Sequence, residues 1–213
     1  MLDYQKEFIS YALECGVLKF GQFQLKSGRI SPYFFNTGLF NTGAKLDKLG
    51  RFYAQALINS GFAVDILYGP AYKGIPLVSA TSIAYSRITN KDIPFAFNRK
   101  EAKDHGEGGA LVGSPLQGRV VILDDVITAG TSVRESVDII RSAQATPAGV
   151  LIALDRQEKG VDNISATMEV EQRFSMPVKA IISLADIIEF LQADTNRMNE
   201  LATIQQYQQH YGI

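Results

Sequence analysis

VVILDDVITAGTS, residues 120–132, begins as a buried strand and ends as something else. Val120 to Leu123 are apolar without alternation, the mark of a strand covered on both faces of a sheet. Two adjacent carboxylates follow, Asp124 and Asp125, and then the small, hydroxyl-bearing run Thr128-Ala129-Gly130-Thr131-Ser132. In an open parallel sheet, ligands sit beyond the carboxyl ends of the strands. The two acids fall there. Neighbouring strand residues point to opposite faces, so the carboxylates need not collide. When ionised they only accept hydrogen bonds, which suits a pair of adjacent hydroxyls or a metal's water shell. The small run supplies free N–H groups, hydroxyls and a helix N-terminus, which together cradle a phosphate. Diol acceptors followed by a phosphate cradle describe a ribose 5-phosphate. Capping of the next helix by Asp125 or Thr131 would account for one residue. It would not account for two carboxylates at a strand end, which costs free energy unless something binds them.

Working outward, strand-like and helix-like segments alternate. Tyr4 to Cys15, Leu46 to Ile58, Pro76 to Arg87 and Ile164 to Phe174 have helical spacing. A helix is expected from Ser132 to Ala143, with Ser132 and Glu135 at capping-box spacing. Ser183 and Asp186 cap another, and Asn196 to Tyr211 reads as a polar helix. Val64–Tyr68, Phe95–Phe97, Val150–Leu154 and Val178–Ile182 are short apolar strands, while Val17 to Asn36 suggests short strands and turns. Asn98 to Gly113 is polar and glycine-rich and reads as a loop. The pattern predicts an α/β fold with a mainly parallel sheet flanked by helices. The expected division is a core over about 41–159 and a smaller cap, or hood, from about 1–40 and 160–213.

The chain has 213 residues, 46% apolar and 20% charged, which fits one α/β domain and excludes disorder. A net charge of −1 gives no global attraction to nucleic acid or an acidic membrane, so neither partner is expected. The single cysteine, Cys15, excludes an internal disulfide and a cysteine-cluster metal site. With no signal-peptide core in MLDYQKEFIS and no membrane-length apolar run, a cytoplasmic location is expected. No G-x-x-x-x-G-K-[ST] motif is present, and Gly74 is followed by Ile75. Only His105 and His210 are available for a serine-type triad.

The 120–132 stretch resembles the phosphoribosyl pyrophosphate (PRPP) signature of the type I phosphoribosyltransferases. Three further segments narrow the resemblance: KSGRISPYFFNTG from Lys26, GPAYKGIP from Gly69 and FNRKEAKDHGEGG from Phe97. Together they are similar to the bacterial orotate phosphoribosyltransferases, over nearly the whole chain. The resemblance implies the type I phosphoribosyltransferase fold and transfer of phosphoribose from PRPP to N1 of orotate. It implies Mg²⁺ as cofactor, held mainly by PRPP and water, with Asp124 or Asp125 at most touching its water shell. It also implies a homodimer whose loop over about 98–110 reaches into the partner's site.

Residue roles carry over in the same way. Asp124, Asp125, Val126, Ile127, Thr128, Ala129, Gly130, Thr131 and Ser132 bind the ribose 5-phosphate part of PRPP. Tyr72, Lys73, Arg99, Lys100, Lys103 and His105 contact its pyrophosphate side. Lys103 is the catalytic cation, and Lys26 lies over the reacting centre. Lys26, Phe34, Phe35, Thr128 and Arg156 hold orotate. Read without the resemblance, Phe34 and Phe35 are core and Lys73 is solvated. The polar loop is then merely a balanced one, and Arg156 is a surface arginine paired with Asp155 or Glu158. A phosphoribosyltransferase for another base and a PRPP-sensing regulator on the same fold remain alternatives at this point.

Overall fold

A computed structural model of the chain describes residues 1–25, 28–103, 109–128, 130–160 and 163–213, with backbone only for 101–103 and 109. Helix α1 (Asp3–Glu14) leads into the antiparallel hairpin β1 (Leu18–Gln24) and β2 (Ile30–Phe35), then a single 3-10 turn at Thr37–Leu39. Helix α2 (Gly43–Asn59), β3 (Ile66–Gly69), α3 (Gly74–Thr89), β4 (Phe95–Lys103), β5 (Gly109–Gly113) and β6 (Arg119–Leu123) follow. Then come α4 (Thr131–Ser142), β7 (Thr146–Asp155), α5 (Ala166–Phe174), β8 (Val178–Ser183), α6 (Leu184–Gln192) and α7 (Met198–Tyr211).

Six strands form the main sheet in the order β5-β4-β3-β6-β7-β8. All neighbouring pairs are parallel except β4–β5. The chain runs outward from β3 in one direction and returns through β6 to run outward in the other. The strand order therefore reverses between β3 and β6, where a sheet of this kind opens a crevice at its carboxyl edge.

The apolar run in β6 is explained by burial on both faces. Val121 and Leu123 join a core with Phe8, Phe52 and Tyr53 of α1 and α2. Val120 and Ile122 join a second core with Val133, Val137 and Ile140 of α4. Each such side chain contributes about 1.5–3 kcal/mol when fully buried.

Several expectations are corrected. Asn98 to Gly113 is not a plain loop: β4 extends to Lys103 and pairs with β5, with a register irregularity between Asn98 and Lys103. Beyond Phe97, β4 pairs only with the edge strand β5, where no apolar run is needed, so polar composition hides the extension. Helix α4 starts at Thr131 after Gly130 in the left-handed region (φ 65°), and no side chain caps it, so Ser132 is not a cap residue. The Ser183–Asp186 capping box is present. Helix α7 is not polar all round, since Leu201, Ile204 and Tyr207 are buried at three-residue spacing. Strand β8 (Val178–Ser183) lies beside β7 within the main sheet.

Candidate active site

The two strand–turn–helix connections at the switch point face each other. After β3 comes Gly69-Pro-Ala-Tyr-Lys-Gly74, with a cis peptide bond between Ala71 and Tyr72. Gly69 and Gly74 pack backbone to backbone: a Cβ at Gly69 would sit 2.2 Å from the Gly74 carbonyl oxygen. No other residue fits there without moving the turn. Asn98 of β4 braces the turn by accepting from the Ala71 N–H at 2.7 Å. Tyr72 is exposed, and the Lys100 ammonium lies 5.2 Å from its ring centroid.

After β6, Asp124 and Asp125 are buried, and they diverge as alternation predicts. Asp125 Oδ2 accepts from Lys73 Nζ at 2.7 Å and from the Thr37 hydroxyl at 2.9 Å, while its Oδ1 accepts from the Val126 N–H at 2.9 Å. Asp124 Oδ1 accepts from the Asp125 N–H at 2.9 Å. The Asp124 carbonyl accepts from the buried Tyr53 hydroxyl at 2.7 Å. Asp124 faces a cleft of about 260 Å³, lined also by Val126, Ile127, Thr128, Gly130, Thr131, Ser132 and Val133. Burial raises its pKa from 3.8 to about 6, with the charge of Asp125 pushing the same way. Backbone hydrogen bonding to Asp125, the Ser132 hydroxyl and Lys73 oppose that rise. Ser132 thus serves the carboxylate and not the helix end.

Gly130 permits the left-handed turn that brings the α4 N-terminus to this cleft, where free N–H groups and the helix dipole favour an anion. The arrangement offers a hydroxyl acceptor and an anion cradle in one cleft, with a mobile-length cation, Lys73, beside it. Among the described residues, no three His, Cys, Asp or Glu side chains cluster as a metal cage. Asp125 is already engaged by three donors. This donor set fits a hydrated Mg²⁺ carried by a polyphosphate ligand, since that ion keeps several waters and leans on substrate phosphates.

A second cluster lies at the cap. Phe34 is 38% exposed and stacks on Phe23, centroids 5.4 Å apart. Its neighbour Phe35 turns inward onto Phe8, so the pair splits between surface and core. Arg156 follows β7 and pairs with Glu158 at 2.6 Å, with only 19% of its side chain exposed. The pairing read from sequence is present, but it is largely buried and not a surface contact. Arg99 is half-buried on β4. Lys26, His105 and Ala129 lie outside the described residues, as does the Lys103 side chain.

Sequence reasoning missed Thr37, Tyr53, Asn98 and Glu158 as site residues. Thr37 and Tyr53 reach the acids across 88 and 71 residues, and no local pattern announces such contacts.

A model of the phosphoribosyl transferase domain matches residues 39–180. The chain is 60% identical to an orotate phosphoribosyltransferase of Methylococcus capsulatus over 212 residues, covering 100% of this chain and 99% of that one. It is 57% identical to an orotate phosphoribosyltransferase of Thiobacillus denitrificans, covering 100% of both. It superposes on a crystal structure of orotate phosphoribosyltransferase from Francisella tularensis with a TM-score of 0.88 at 47% identity. That match covers 97% of this chain and 100% of the other.

Proposed function

The chain belongs to the orotate phosphoribosyltransferase family, and from that premise we propose how its residues carry the reaction. The enzyme is a pentosyltransferase of pyrimidine biosynthesis. It moves phosphoribose from PRPP to N1 of orotate, giving orotidine 5′-monophosphate and pyrophosphate. The observation that carries the residue assignment is the cleft in which Asp124 faces the Gly130–Ser132 cradle.

The 5′-phosphate occupies that cradle, held by the N–H groups and hydroxyls of Thr128 to Ser132. Asp124 and Asp125 accept the ribose hydroxyls, Asp124 from within the cleft and Asp125 from its far side. Lys73, 65% exposed, exchanges Asp125 for the pyrophosphate when PRPP arrives. We assign Tyr72, Arg99, Lys100 and His105 to contacts with the same pyrophosphate. Phe34 covers the orotate ring, and Arg156 meets the anionic base through its planar fork. We assign Thr128 and Lys26 to the base and the reacting carbon.

Orotate N1 attacks C1 as the C1–oxygen bond to pyrophosphate breaks, and the electron pair leaves with pyrophosphate. The transition state has oxocarbenium character, and the configuration at C1 inverts. Lys103 meets the charge growing on the leaving group. Orotate is already anionic at neutral pH, so N1 needs no dedicated base. When bound, Mg²⁺ adds Lewis-acid help and orients the pyrophosphate. The protein contributes positioning and matched charge.

The active unit is a homodimer in which the segment 98–110 of one subunit completes the site of the other. We place it in the cytoplasm, on the lone Cys15 and the metabolic role. No helix among the described residues is long and apolar enough to cross a membrane.

The first test follows orotate by ultraviolet absorbance with PRPP and Mg²⁺, and repeats it without each component. Loss of orotate that needs all three is expected. No loss, from folded protein that still binds PRPP, would overturn the substrate. Mixing Lys103→Ala with Arg156→Ala subunits is expected to restore part of the activity, because one hybrid site carries neither lesion. No restoration after proven subunit exchange would overturn the shared site.

A further inference from the structure

Arg156 is not oriented by its own loop alone. Its Nε donates to Glu158 Oε1 at 2.9 Å, and Nη2 lies 2.6 Å from the same oxygen in the ion pair. Nη2 also reaches Ser31 Oγ at 3.3 Å. The guanidinium lies over the Tyr33 ring, 4.5 Å from its centroid. The Tyr33 hydroxyl donates to the same Glu158 oxygen at 3.2 Å. Only 13% of the Glu158 side chain is exposed. A pair withdrawn this far from water needs good geometry and further hydrogen bonds to be tolerated. Both are present. The buried Tyr207 hydroxyl lies close enough to the pair that Glu158 helps raise its pKa, after burial, while Arg156 opposes the rise.

The loop bearing Glu158 is held from outside. Its Lys159 N–H donates to the Tyr211 carbonyl at 2.7 Å, and the Ile213 N–H donates to the Gln157 carbonyl at 3.1 Å. Glu158 and Gly212 form an antiparallel bridge. Arg29, from the turn between β1 and β2, donates through both Nη atoms to the Lys159 carbonyl at 3.1 Å. Its guanidinium also lies 5.0 Å from the Tyr211 ring centroid. The hairpin, the Arg156 loop and the end of α7 therefore meet at one clasp. None of this is needed to bind PRPP.

We infer that Glu158 is a positioning residue for orotate, held by the Arg29–Tyr211 clasp, which fixes the Arg156 guanidinium for the anionic base. The inference rests on the reading of Arg156 as an orotate contact. An arginine side chain is rotamer-rich, and fixing it beforehand removes an ordering cost that binding would otherwise bear. The described hydrogen bonds of Arg156 run from Nε to Glu158 and from Nη2 to Ser31.

The test measures KM for each substrate, kcat and melting temperature in four variants and one double variant. Glu158→Ala is expected to raise orotate KM about ten-fold, a coupling of ordinary size for contacting residues. PRPP KM should stay within about two-fold, as expected for a residue acting on one substrate's binding alone. Glu158→Gln retains an acceptor and should recover most of the loss. Arg29→Ala, away from the buried pair, should raise orotate KM by about three-fold, the lower end of such couplings. In an Arg156→Ala background, Glu158→Ala should change orotate KM by less than about two-fold, because the two act as one unit. Additive effects, or equal rises in both KM values, would reduce Glu158 to a general structural role and overturn the inference. Arg156→Ala with unchanged orotate KM would overturn the reading beneath it as well. A raised orotate KM in Arg156→Ala, with Glu158→Ala and Arg29→Ala both silent, would overturn the positioning role alone. If Glu158→Ala does not fold, Glu158→Gln and Arg29→Ala decide the question by the same readouts.

Discussion

The two halves of the site are built by different means. The half assigned to PRPP hangs from the ends of β3 and β6, and its groups lie within a few residues of a buried strand. The half assigned to orotate is assembled from distant segments: Arg156 reaches Ser31, 125 residues away in sequence, and Tyr33 reaches Glu158 over the same separation. The first half is positioned by the sheet and inherits its rigidity. The second is positioned by side chains and a clasp. Substitutions in the two should therefore separate by substrate.

The largest effect belongs to Lys103, assigned to the pyrophosphate side of the PRPP half. Lys103→Ala is expected to lower kcat by about 10²–10³, the cost of losing one donor to transition-state charge. Single-turnover measurement checks it, and an unchanged chemical step would remove Lys103 from catalysis. Next comes Asp125→Ala, which strips Lys73 and Thr37 of their shared acceptor. PRPP KM should rise about ten-fold or more, the worth of a charge-assisted hydrogen bond. Orotate KM should change little. Equal rises in both would erase the distinction between the halves.

The same difference decides what could be read from sequence. Strand ends announce themselves: an unbroken apolar run, two acids and a small-residue turn occupy thirteen consecutive positions, 120–132. Val120 to Leu123, the acids and Gly130 lie where that stretch puts them. Thr37 and Tyr53 act across the fold with nothing near them in sequence to signal their partners, and for Glu158 the sequence shows the local pairing with Arg156 but not the contact with Tyr33. The start of β4 at Phe95–Phe97 is legible, but its extension is hidden because Arg99 and Lys100 have the composition of a polar loop. Ser132 was misassigned because a capping box and a turn of small residues share composition. Only the left-handed Gly130 tells them apart.

Protonation of Asp124 sharpens the comparison further. Its pKa in the fold is about 6, against 3.8 for an aspartate in water. The folded chain therefore holds a proton that the unfolded chain releases between those values. The stabilisation from this group is full below pH 3.8 and is lost as pH rises through about 6, where burial opposes the charge. Ligand binding should run the other way, because only the carboxylate accepts from both ribose hydroxyls. PRPP affinity measured by calorimetry should weaken as pH falls below about 6, while unfolding of the free protein should report a gain. Asp124→Asn should flatten both profiles. A PRPP profile unchanged by that substitution would take Asp124 out of the ribose contact.

The smallest expected effect lies at the seam. Thr37 follows directly on the hairpin that carries Phe34 and Phe35, yet its hydroxyl donates to Asp125 in the other half. Thr37→Val keeps the shape and removes the donor. Asp125 Oδ2 still has Lys73, so the carboxylate is not left bare. The loss should be about 1 kcal/mol, the net worth of an ordinary hydrogen bond. In a chain of this size, that lowers the melting temperature by about 2–4 °C. If the halves are joined mainly through this bond, Thr37→Val should also raise both KM values together, unlike any substitution within one half. If PRPP KM alone moves, the hydroxyl only tunes Asp125, and the clasp at Glu158 is what holds the orotate half in register with the sheet.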